Sequence, residues 1–299
     1  MIPTSHQRMP GSLWWTLIGL TFAWGFNWTA MKVALADFTP WIFRSLCVFF
    51  GSLVLFGVAL ASGHTLWVAR RLWPKLAILA FLNVTCWNVM IAFGLTMIPS
   101  GRAAILAFTM PVWSVPLSAW LLGEKITPRK VGALLLGMTG LALLLGEDLV
   151  LLGGAPLGSL LALGAAMIWA IGTVLQKRWP LGLPMGTFTA WTMFIGGFPV
   201  FIGMLVFERT AWHPVGNGAL LALLYNIFVA FAFAYWAWFK IASSVSVTVS
   251  SISVLSVPIV GVLSGFVFLG ERPSLQEYVA LGCVVLAVLA VNLPARKRE

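Results

Sequence analysis

Long apolar stretches separated by short polar connections follow one another along the whole 299-residue chain. About 20 helical residues, at 1.5 Å each, cross the roughly 30 Å hydrocarbon core of a bilayer, and most of these stretches reach that length. Backbone groups in that core need partners within the protein, and runs so uniformly apolar lack the alternation of barrel strands. We therefore predict ten membrane-spanning helices, at 13–36, 40–61, 76–98, 103–122, 131–146, 157–175, 187–207, 217–239, 245–269 and 276–293.

The composition supports this prediction. Hydrophobic residues make up 61% of the chain and charged residues only 9%, whereas soluble proteins carry about 25% charged residues. A soluble fold of this length could not cover so much apolar surface, and the short connections leave no room for a soluble domain. We expect an all-α integral membrane protein embedded in the lipid bilayer.

The basic residues indicate an orientation. With the N-terminus in the cytoplasm, thirteen of the 18 Lys and Arg residues fall on the cytoplasmic side, three on the outer side and two within segments. This is a positive-inside distribution, so we predict that both termini are cytoplasmic. The net charge of +10 is scattered over short loops without a basic stripe or an RNA-binding motif. We therefore expect no nucleic-acid partner.

The sequence contains an internal repeat. "PVWSVPLSAWLLGEK" (111–125) and "PIVGVLSGFVFLGER" (258–272) share Pro, Val, Leu, Gly, Glu and a final base at the same spacing. We predict that 1–148 and 149–299 are two five-helix copies, the second inverted in the membrane, around a central cavity. Three further matches occur in the same order in both copies: Trp24–Lys32 with Trp169–Lys177, Phe38–Trp41 with Phe188–Trp191, and Asn83 with Asn226.

Each copy carries Trp-x(7)-Lys in its first helix and closes its fourth with Pro-x(11)-Gly-Glu-basic. In these features the chain resembles the EamA-type branch of the drug/metabolite transporter superfamily. The resemblance implies a ten-helix basket whose central cavity is lined mainly by helices 1, 3, 4, 6, 8 and 9. The aromatic content is most similar to YddG-like amino acid exporters of bacterial inner membranes. The second corner departs from the first, because Pro273 follows the base and the basic cluster is missing.

The resemblance implies a secondary transporter in a bacterial inner (plasma) membrane that exports small organic metabolites by alternating access. Amino acids, aromatic ones included, are the favoured substrates; hydrophobic drugs or other metabolites are the alternative, and a passive channel is the alternative from another class. The sequence has no HExxH motif, no paired intramembrane carboxylates and no ATP-binding P-loop. We therefore expect neither an enzyme nor a cofactor or metal site. The sequence predicts neither a coupling ion nor an oligomeric state.

The first segment supplies three candidate substrate-binding residues, Trp24, Asn27 and Trp28, which share a helix face with Thr21 and Met31. An Asn in the middle of a spanning helix is unfavourable against lipid, and it offers both a donor and an acceptor. We predict that this face lines the cavity. The alternative is that Asn27 bonds a neighbouring helix while the indoles pack.

Further candidates are polar or indole side chains deep within apolar segments. The two matching Asn residues are explained equally well by hydrogen bonds between helices, and the Ser-rich face of the ninth segment by close helix packing. The residues predicted to line the cavity are Asn83, Trp87, Trp113, Trp169, Asn226 and Ser253.

Pro111 and Pro258 occupy matching positions in the repeat and are candidate hinges. Each removes one helical hydrogen bond and frees a carbonyl four residues earlier, at Ala107 and Val254. A static kink explains the same residues equally well.

Five charged residues complete the candidates. Lys32, Lys177 and Arg44 are expected to extend to the nearest surface, and a counter-charge for a substrate carboxylate is the alternative. Glu124 and Glu271 could couple transport to protons, but their position at helix corners favours a structural role.

Overall fold

The structure is a computed structural model that describes residues 11–97, 106–145, 156–208, 214–269 and 275–292. All regular secondary structure in these ranges is helical, which confirms the all-α prediction for this part of the chain. Some predicted features lie outside it: the second corner with Glu271 and Pro273, the start of the fourth segment, and the side chain of Lys32.

Helices α1 to α5 come from the first half of the chain. The third is continuous but changes type, with a π-helical middle between two α-helical parts. The bounds are Gly11–Ala34 (α1), Pro40–Ala61 (α2), Trp73–Ala80, Phe81–Cys86 and Trp87–Met97 (together α3), Met110–Leu122 (α4) and Pro128–Leu145 (α5).

Helices α6 to α10 come from the second half. Here α8 contains a π-helical middle and α9 is interrupted by a short 3-10 turn. The bounds are Pro156–Arg178 (α6), Met185–Phe207 (α7), Asn217–Tyr225, Asn226–Phe233 and Ala234–Ser244 (together α8), Val247–Ser253, Val254–Ser256 and Val257–Leu269 (together α9) and Leu275–Asn292 (α10).

The predicted bounds differ from the observed ones mainly at helix ends. Helix α3 begins at Trp73 instead of 76, and α8 continues to Ser244 instead of ending at 239. The extra turn of α8 carries hydroxyls that bond back to the helix: Ser243 and Ser244 both donate from Oγ to the Lys240 carbonyl, at 3.0 and 2.6 Å. A polar helix end of this kind is missed when helices are read from apolar length alone.

Several helices are long and apolar enough to cross a membrane. Within the described residues five stretches meet that criterion by length and composition: Pro40–Ala61, Arg70–Gly94, Leu157–Arg178, Met185–Phe207 and Asn217–Ser244. Met110–Leu122 and Val247–Gly261 are shorter apolar helices.

Burial follows the pattern of a protein in lipid. Large apolar side chains point outward, with Trp15 and Trp120 76% and 79% exposed, while Asn83, Asn226 and Thr192 are fully buried. An aqueous surface rarely presents so many large apolar residues, whereas lipid is a solvent for them. The outer surface of the described helices therefore suits a bilayer.

Helix packing pairs the two halves of the chain. Helix α2 packs on α7, α5 on α10, and α4 on α9. Helix α1 contacts α9 and α8, and α6 makes the corresponding contacts with α4 and α3. Exchanging each helix for its counterpart five places along therefore reproduces these particular contacts.

At one end of the bundle, polar groups connect the helix termini; we call this the closed end. Helix α4 stops at Gly123, which has φ +67°, a left-handed conformation that glycine adopts without a Cβ clash. The next residue, Glu124, accepts hydrogen bonds from the backbone N–H of Val247 at 2.7 Å and from the Thr248 hydroxyl at 3.1 Å. Its carboxylate thus meets the positive end of the α9 dipole, which is the structural role predicted for this corner.

Candidate functional site

A cavity of about 90 Å³ lies where seven helices meet. On the scale at which one water needs roughly 10–15 Å³, it holds several waters or part of a small solute. Helices α1, α3, α4, α6, α8 and α9 contribute, as the family resemblance implied, and α2 contributes as well. The lining consists of Trp24, Asn27, Trp28, Met31, Arg44, Trp87, Ile91, Ala107, Phe108, Met110, Trp169, Ala230, Phe231, Tyr235, Trp238 and Val254.

Five rings form one side of the cavity; we call them the aromatic cluster: Trp24, Trp87, Trp169, Tyr235 and Trp238. Trp169 is at their centre, with ring centroids 6.0 Å from Trp24, 4.7 Å from Trp87, 5.6 Å from Tyr235 and 6.1 Å from Trp238. Most of these pairs are tilted or edge-on, the geometries that aromatic rings favour. The cluster offers large apolar faces to a solute, and their electron-rich surfaces also attract cations.

Hydrogen bonds hold parts of this wall in place. The Trp24 indole N–H donates to the Ala230 carbonyl at 3.1 Å. Asn88 Nδ2 donates to the Val84 carbonyl at 2.8 Å and reaches the Tyr235 hydroxyl at 3.4 Å. The wall on α8 is therefore tied to both α1 and α3.

The cavity also contains polar atoms without protein partners. Asn27 Nδ2 donates weakly to Met31 Sδ at 3.2 Å, and its Oδ1 is buried with no hydrogen-bond partner. The Trp238 indole N–H is buried and unpartnered as well. Buried polar atoms are normally satisfied, and these two belong to residues that line the cavity. The other unpartnered side-chain atoms of the described residues lie outside the lining, in Thr39, Asn83, Asn88, Gln176, Thr192 and Asn226.

Arg44 is the cationic member of the lining. It lies in the second turn of α2 with 7% of its surface exposed, and its guanidinium lies 5.9 and 5.8 Å from the ring centroids of Phe43 and Phe231. The expectation that Arg44 extends to the membrane surface was therefore wrong. Packing of α2 on α7 and α8 turns this side chain into the bundle.

Lys177 behaves as a helix-end residue. Its Nζ donates to the carbonyls of Ser243 and Val245, both at 2.8 Å, next to the closed end. This places Lys177 away from the cavity and among the connections between α6, α8 and α9.

The structure brings together five of the nine predicted substrate-binding residues: Trp24, Asn27, Trp28, Trp87 and Trp169 all line the cavity. Trp113 is half-buried in the neighbouring core, with its indole N–H 3.4 Å from the Thr109 hydroxyl. Ser253 is fully buried and does not line the cavity.

Asn83 and Asn226 are fully buried outside the cavity lining. Each belongs to a π-helical segment, and each donates from Nδ2 to the carbonyl four residues earlier, Leu79 at 3.1 Å and Ala222 at 2.9 Å. Asn83 also packs against Gly172 of α6, where an added Cβ would lie 2.3 Å from Asn83 Oδ1. Their common environment is local helix geometry and close packing.

Both predicted hinge prolines follow interruptions of their helices. Pro111 stands in the first turn of α4 after a non-helical turn at 108–109, and Pro258 follows the 3-10 turn Val254–Ser256 of α9. Ala107 and Val254, the residues four positions before these prolines, both line the cavity, and the Val254 carbonyl accepts from the Val257 N–H within the 3-10 turn. The interruptions therefore bring irregular backbone to the cavity, as in transporters with broken helices.

The sequence did not indicate that Phe231 and Trp238 belong to the site. Tyr235 and Trp238 lie three residues apart on one face of α8, a spacing that links them once either is known to line the cavity. No group of three or more potential metal-ligating side chains occurs in the described part of the chain.

Comparison with known sequences shows the family. Residues 11–146 and, separately, 156–293 match the EamA-like transporter family. The chain belongs to this family. It is therefore a multi-pass membrane protein and a transporter, and the EamA-like family is one of transporters rather than enzymes.

Relatives in this family come from distant organisms. The uncharacterized transporter YoaV of Bacillus subtilis is 25% identical over 271 residues, which cover 90% of this chain and 92% of YoaV. The uncharacterized inner membrane transporter YedA of Escherichia coli K12 is 28% identical, covering 96% and 92%. A WAT1-related chloroplastic protein of Arabidopsis thaliana is 30% identical, covering 94% and 69%.

One solved crystal structure is similar with a TM-score of 0.82. The likeness covers 95% of this chain and 98% of the other at 22% sequence identity, so it shows a shared fold.

Proposed function

We propose that this EamA-like transporter is a secondary carrier that exports small organic metabolites, with amino acids, aromatic ones included, as its substrates. The observation that carries the proposal is the aromatic cluster beside the unpartnered Asn27 Oδ1 in a cavity between the helices. The rings supply apolar contact for a side chain, and the amide oxygen accepts a hydrogen bond from an ammonium group.

For the architecture we propose ten spanning helices in two inverted copies, 1–148 and 149–299. Two consecutive family matches and the reciprocal helix contacts support the duplication. The positive-inside distribution supports cytoplasmic termini, and the likeness to the inner membrane transporter YedA supports a bacterial inner membrane.

Alternating access would open the closed end and close the opposite end of the bundle. In the proposed orientation the closed end faces the cytoplasm. Pro111 and Pro258 are the proposed hinges, because each follows a helix interruption whose residues line the cavity. Rotation at these points would move the helix ends without unfolding the bundle.

The direct test is uptake of labelled phenylalanine into liposomes containing the purified protein, with and without a pH gradient. We expect saturable uptake that unlabelled amino acids reduce. Saturable uptake of tetraphenylphosphonium without any amino acid uptake would indicate a drug carrier instead. Linear flux that no solute competes for would indicate a channel.

The orientation is tested with a single cysteine introduced at Gly182 or Val215 in a cysteine-free background. These residues lie in the α6–α7 and α7–α8 connections. A membrane-impermeant thiol reagent should label Gly182→Cys from the cytoplasmic side and Val215→Cys from the outside. The reverse result would overturn the orientation.

A further inference from the structure

Arg44 carries a positive charge that nothing in the described protein neutralises. Its Nη2 lies 3.5 Å from Met31 Sδ, its guanidinium lies over the rings of Phe43 and Phe231, and the uncharged side chains of Cys47 and Tyr235 are also near it. Among the described residues no carboxylate lies within ion-pair distance of the guanidinium. A buried charge without a counter-ion is strongly unfavourable in a membrane protein, so its presence beside a cavity indicates a ligand.

Two described acids, beside the ends of α7 and α1, accept hydrogen bonds from backbone groups. Glu208 accepts from the N–H groups of Trp41 and Ile42, at 2.9 and 3.1 Å, at the start of the same helix α2. Asp37 accepts from the Gly216 N–H at 2.7 Å. Neither carboxylate makes an ion pair with Arg44, so no acid in the described part of the chain supplies the anion.

Arg44 is also close to the other polar group of the cavity. Asn27 Nδ2 and Arg44 Nη2 both contact Met31 Sδ, at 3.2 and 3.5 Å, so the two nitrogens are at most 6.7 Å apart. Phe231 connects the guanidinium to the aromatic cluster, since its ring stacks on Tyr235 at 5.4 Å. A cation, a free amide oxygen and an aromatic face therefore adjoin one another.

We propose that Arg44 binds the carboxylate of the transported solute and that a free carboxylate is required for recognition. This assignment rests on the proposed transport function and narrows its substrates to carboxylates with an apolar or aromatic body. A guanidinium pairs with a carboxylate through two parallel hydrogen bonds, a geometry that an ammonium does not reproduce. In an amino acid the ammonium would then face Asn27 Oδ1, and the side chain the aromatic cluster.

The first test changes the ligand and leaves the protein intact. Phenylalanine, phenylalaninamide and phenylethylamine are compared as competitors of labelled phenylalanine uptake and as stabilisers of the purified protein against heat. The acid should act at concentrations roughly tenfold or more below those of the amide and amine, because hydrogen bonds to a buried charge are among the strongest. Equal potency of acid and amide would overturn the assignment.

The second test uses Arg44→Gln and Arg44→Lys, with Arg71→Gln as the matched control at an exposed position outside the cavity. Arg44→Gln should lose roughly tenfold or more of the potency of the acid while that of the amide stays unchanged. Arg44→Lys should lose less of the potency of the acid than Arg44→Gln, and Arg71→Gln should match the wild type. A Gln variant that still prefers the acid over the amide would overturn the assignment.

The two proposals fail in different ways. Absence of flux for every solute, with acid-specific heat stabilisation retained, would contradict transport and support Arg44 as a carboxylate site. Saturable flux with no distinction between acid and amide would support transport and contradict the role of Arg44. If Arg44→Gln does not fold, the comparison of phenylalanine, phenylalaninamide and phenylethylamine in the wild-type protein still tests the assignment.

Discussion

The closed end and the cavity use their polar side chains in opposite ways. At the closed end Glu124 accepts from the N-terminus of α9, Lys177 donates to the carbonyls of Ser243 and Val245, both at 2.8 Å, and Arg178 donates to the Leu121 carbonyl. Around the cavity the Asn27 Oδ1 has no partner and Arg44 has no counter-ion among the described residues.

This difference separates groups that hold the protein together from groups available to a solute. Each satisfied contact at the closed end connects the terminus of one helix to another, so it resists opening there. An unsatisfied buried group reduces stability, so one that belongs to a residue lining the cavity is a candidate for ligand binding. Substitutions in the two regions should therefore affect different measurements.

The largest effect is expected for Trp169→Ala, which removes the central ring of the aromatic cluster. Uptake of labelled phenylalanine should fall by roughly thirtyfold or more, because central aromatic residues dominate binding. Trp120→Ala is the matched control, since Trp120 is 79% exposed. Uptake by Trp169→Ala at the level of the control, with both proteins folded, would contradict the binding role of the cluster.

The next effect concerns the closed end. Glu124→Gln removes the charge that faces the α9 N-terminus. The contact should lose about 1 kcal/mol, so the population in which the closed end is open should rise roughly fivefold. A cysteine introduced at the fully buried Val247 should then react about fivefold faster with a thiol reagent.

Glu208→Gln is the control for this experiment, because Glu208 caps α2 instead of α9. It should leave the reactivity of Val247→Cys unchanged. Equal acceleration by both substitutions would mean that Glu124 does not specifically hold the closed end.

A smaller effect should distinguish Asn27 from Asn226. Asn27→Ala should raise the half-saturating phenylalanine concentration severalfold with little change in the unfolding temperature, because Asn27 lines the cavity and its amide donates only weakly, to Met31 Sδ. Asn226→Ala should lower the free energy of unfolding by about 1 kcal/mol and leave half-saturation unchanged, because its amide bonds the Ala222 carbonyl. The opposite pattern would reassign the two residues.

The smallest effect is expected at the proposed hinges. Pro258→Ala restores a backbone donor beside the 3-10 turn of α9 and should lower the maximal uptake rate about twofold without changing half-saturation. Pro199→Ala within α7 is the control, since Pro199 does not line the cavity. Equal rates for wild type and both variants would remove Pro258 from the transport cycle.

Part of the site could be predicted from helical spacing. Trp24, Asn27 and Trp28 share a face of α1, and the depth of Trp169 within its apolar segment favoured the cavity wall. The same depth argument predicted Trp113 at the cavity wall, where the structure does not place it. The residues on α1 could be predicted because helical spacing alone shows which side chains lie on the same face. The family resemblance supplied the helices that surround the cavity, apart from α2.

Arg44, Asn83 and Asn226 show what the sequence could not supply. The orientation of Arg44 depends on the rotation of α2 against α7 and α8, which a near-uniform apolar helix does not encode. The two Asn residues match in the repeat, but their bonds to carbonyls four residues earlier and their π-helical surroundings depend on the backbone path. Whether a polar residue within a membrane helix lines a cavity or bonds within the packed core therefore depends on its neighbours in the fold.

The most direct measurement asks whether the solute occupies this cavity. A cysteine is introduced at Ala107, which lines the cavity, in a protein with Cys47, Cys86 and Cys283 replaced. Saturating phenylalanine should slow its reaction with a thiol reagent several-fold while a cysteine at the exposed Trp120 reacts unchanged. Labelling of Ala107→Cys that phenylalanine does not slow, in a protein that transports phenylalanine, would contradict the proposed binding site.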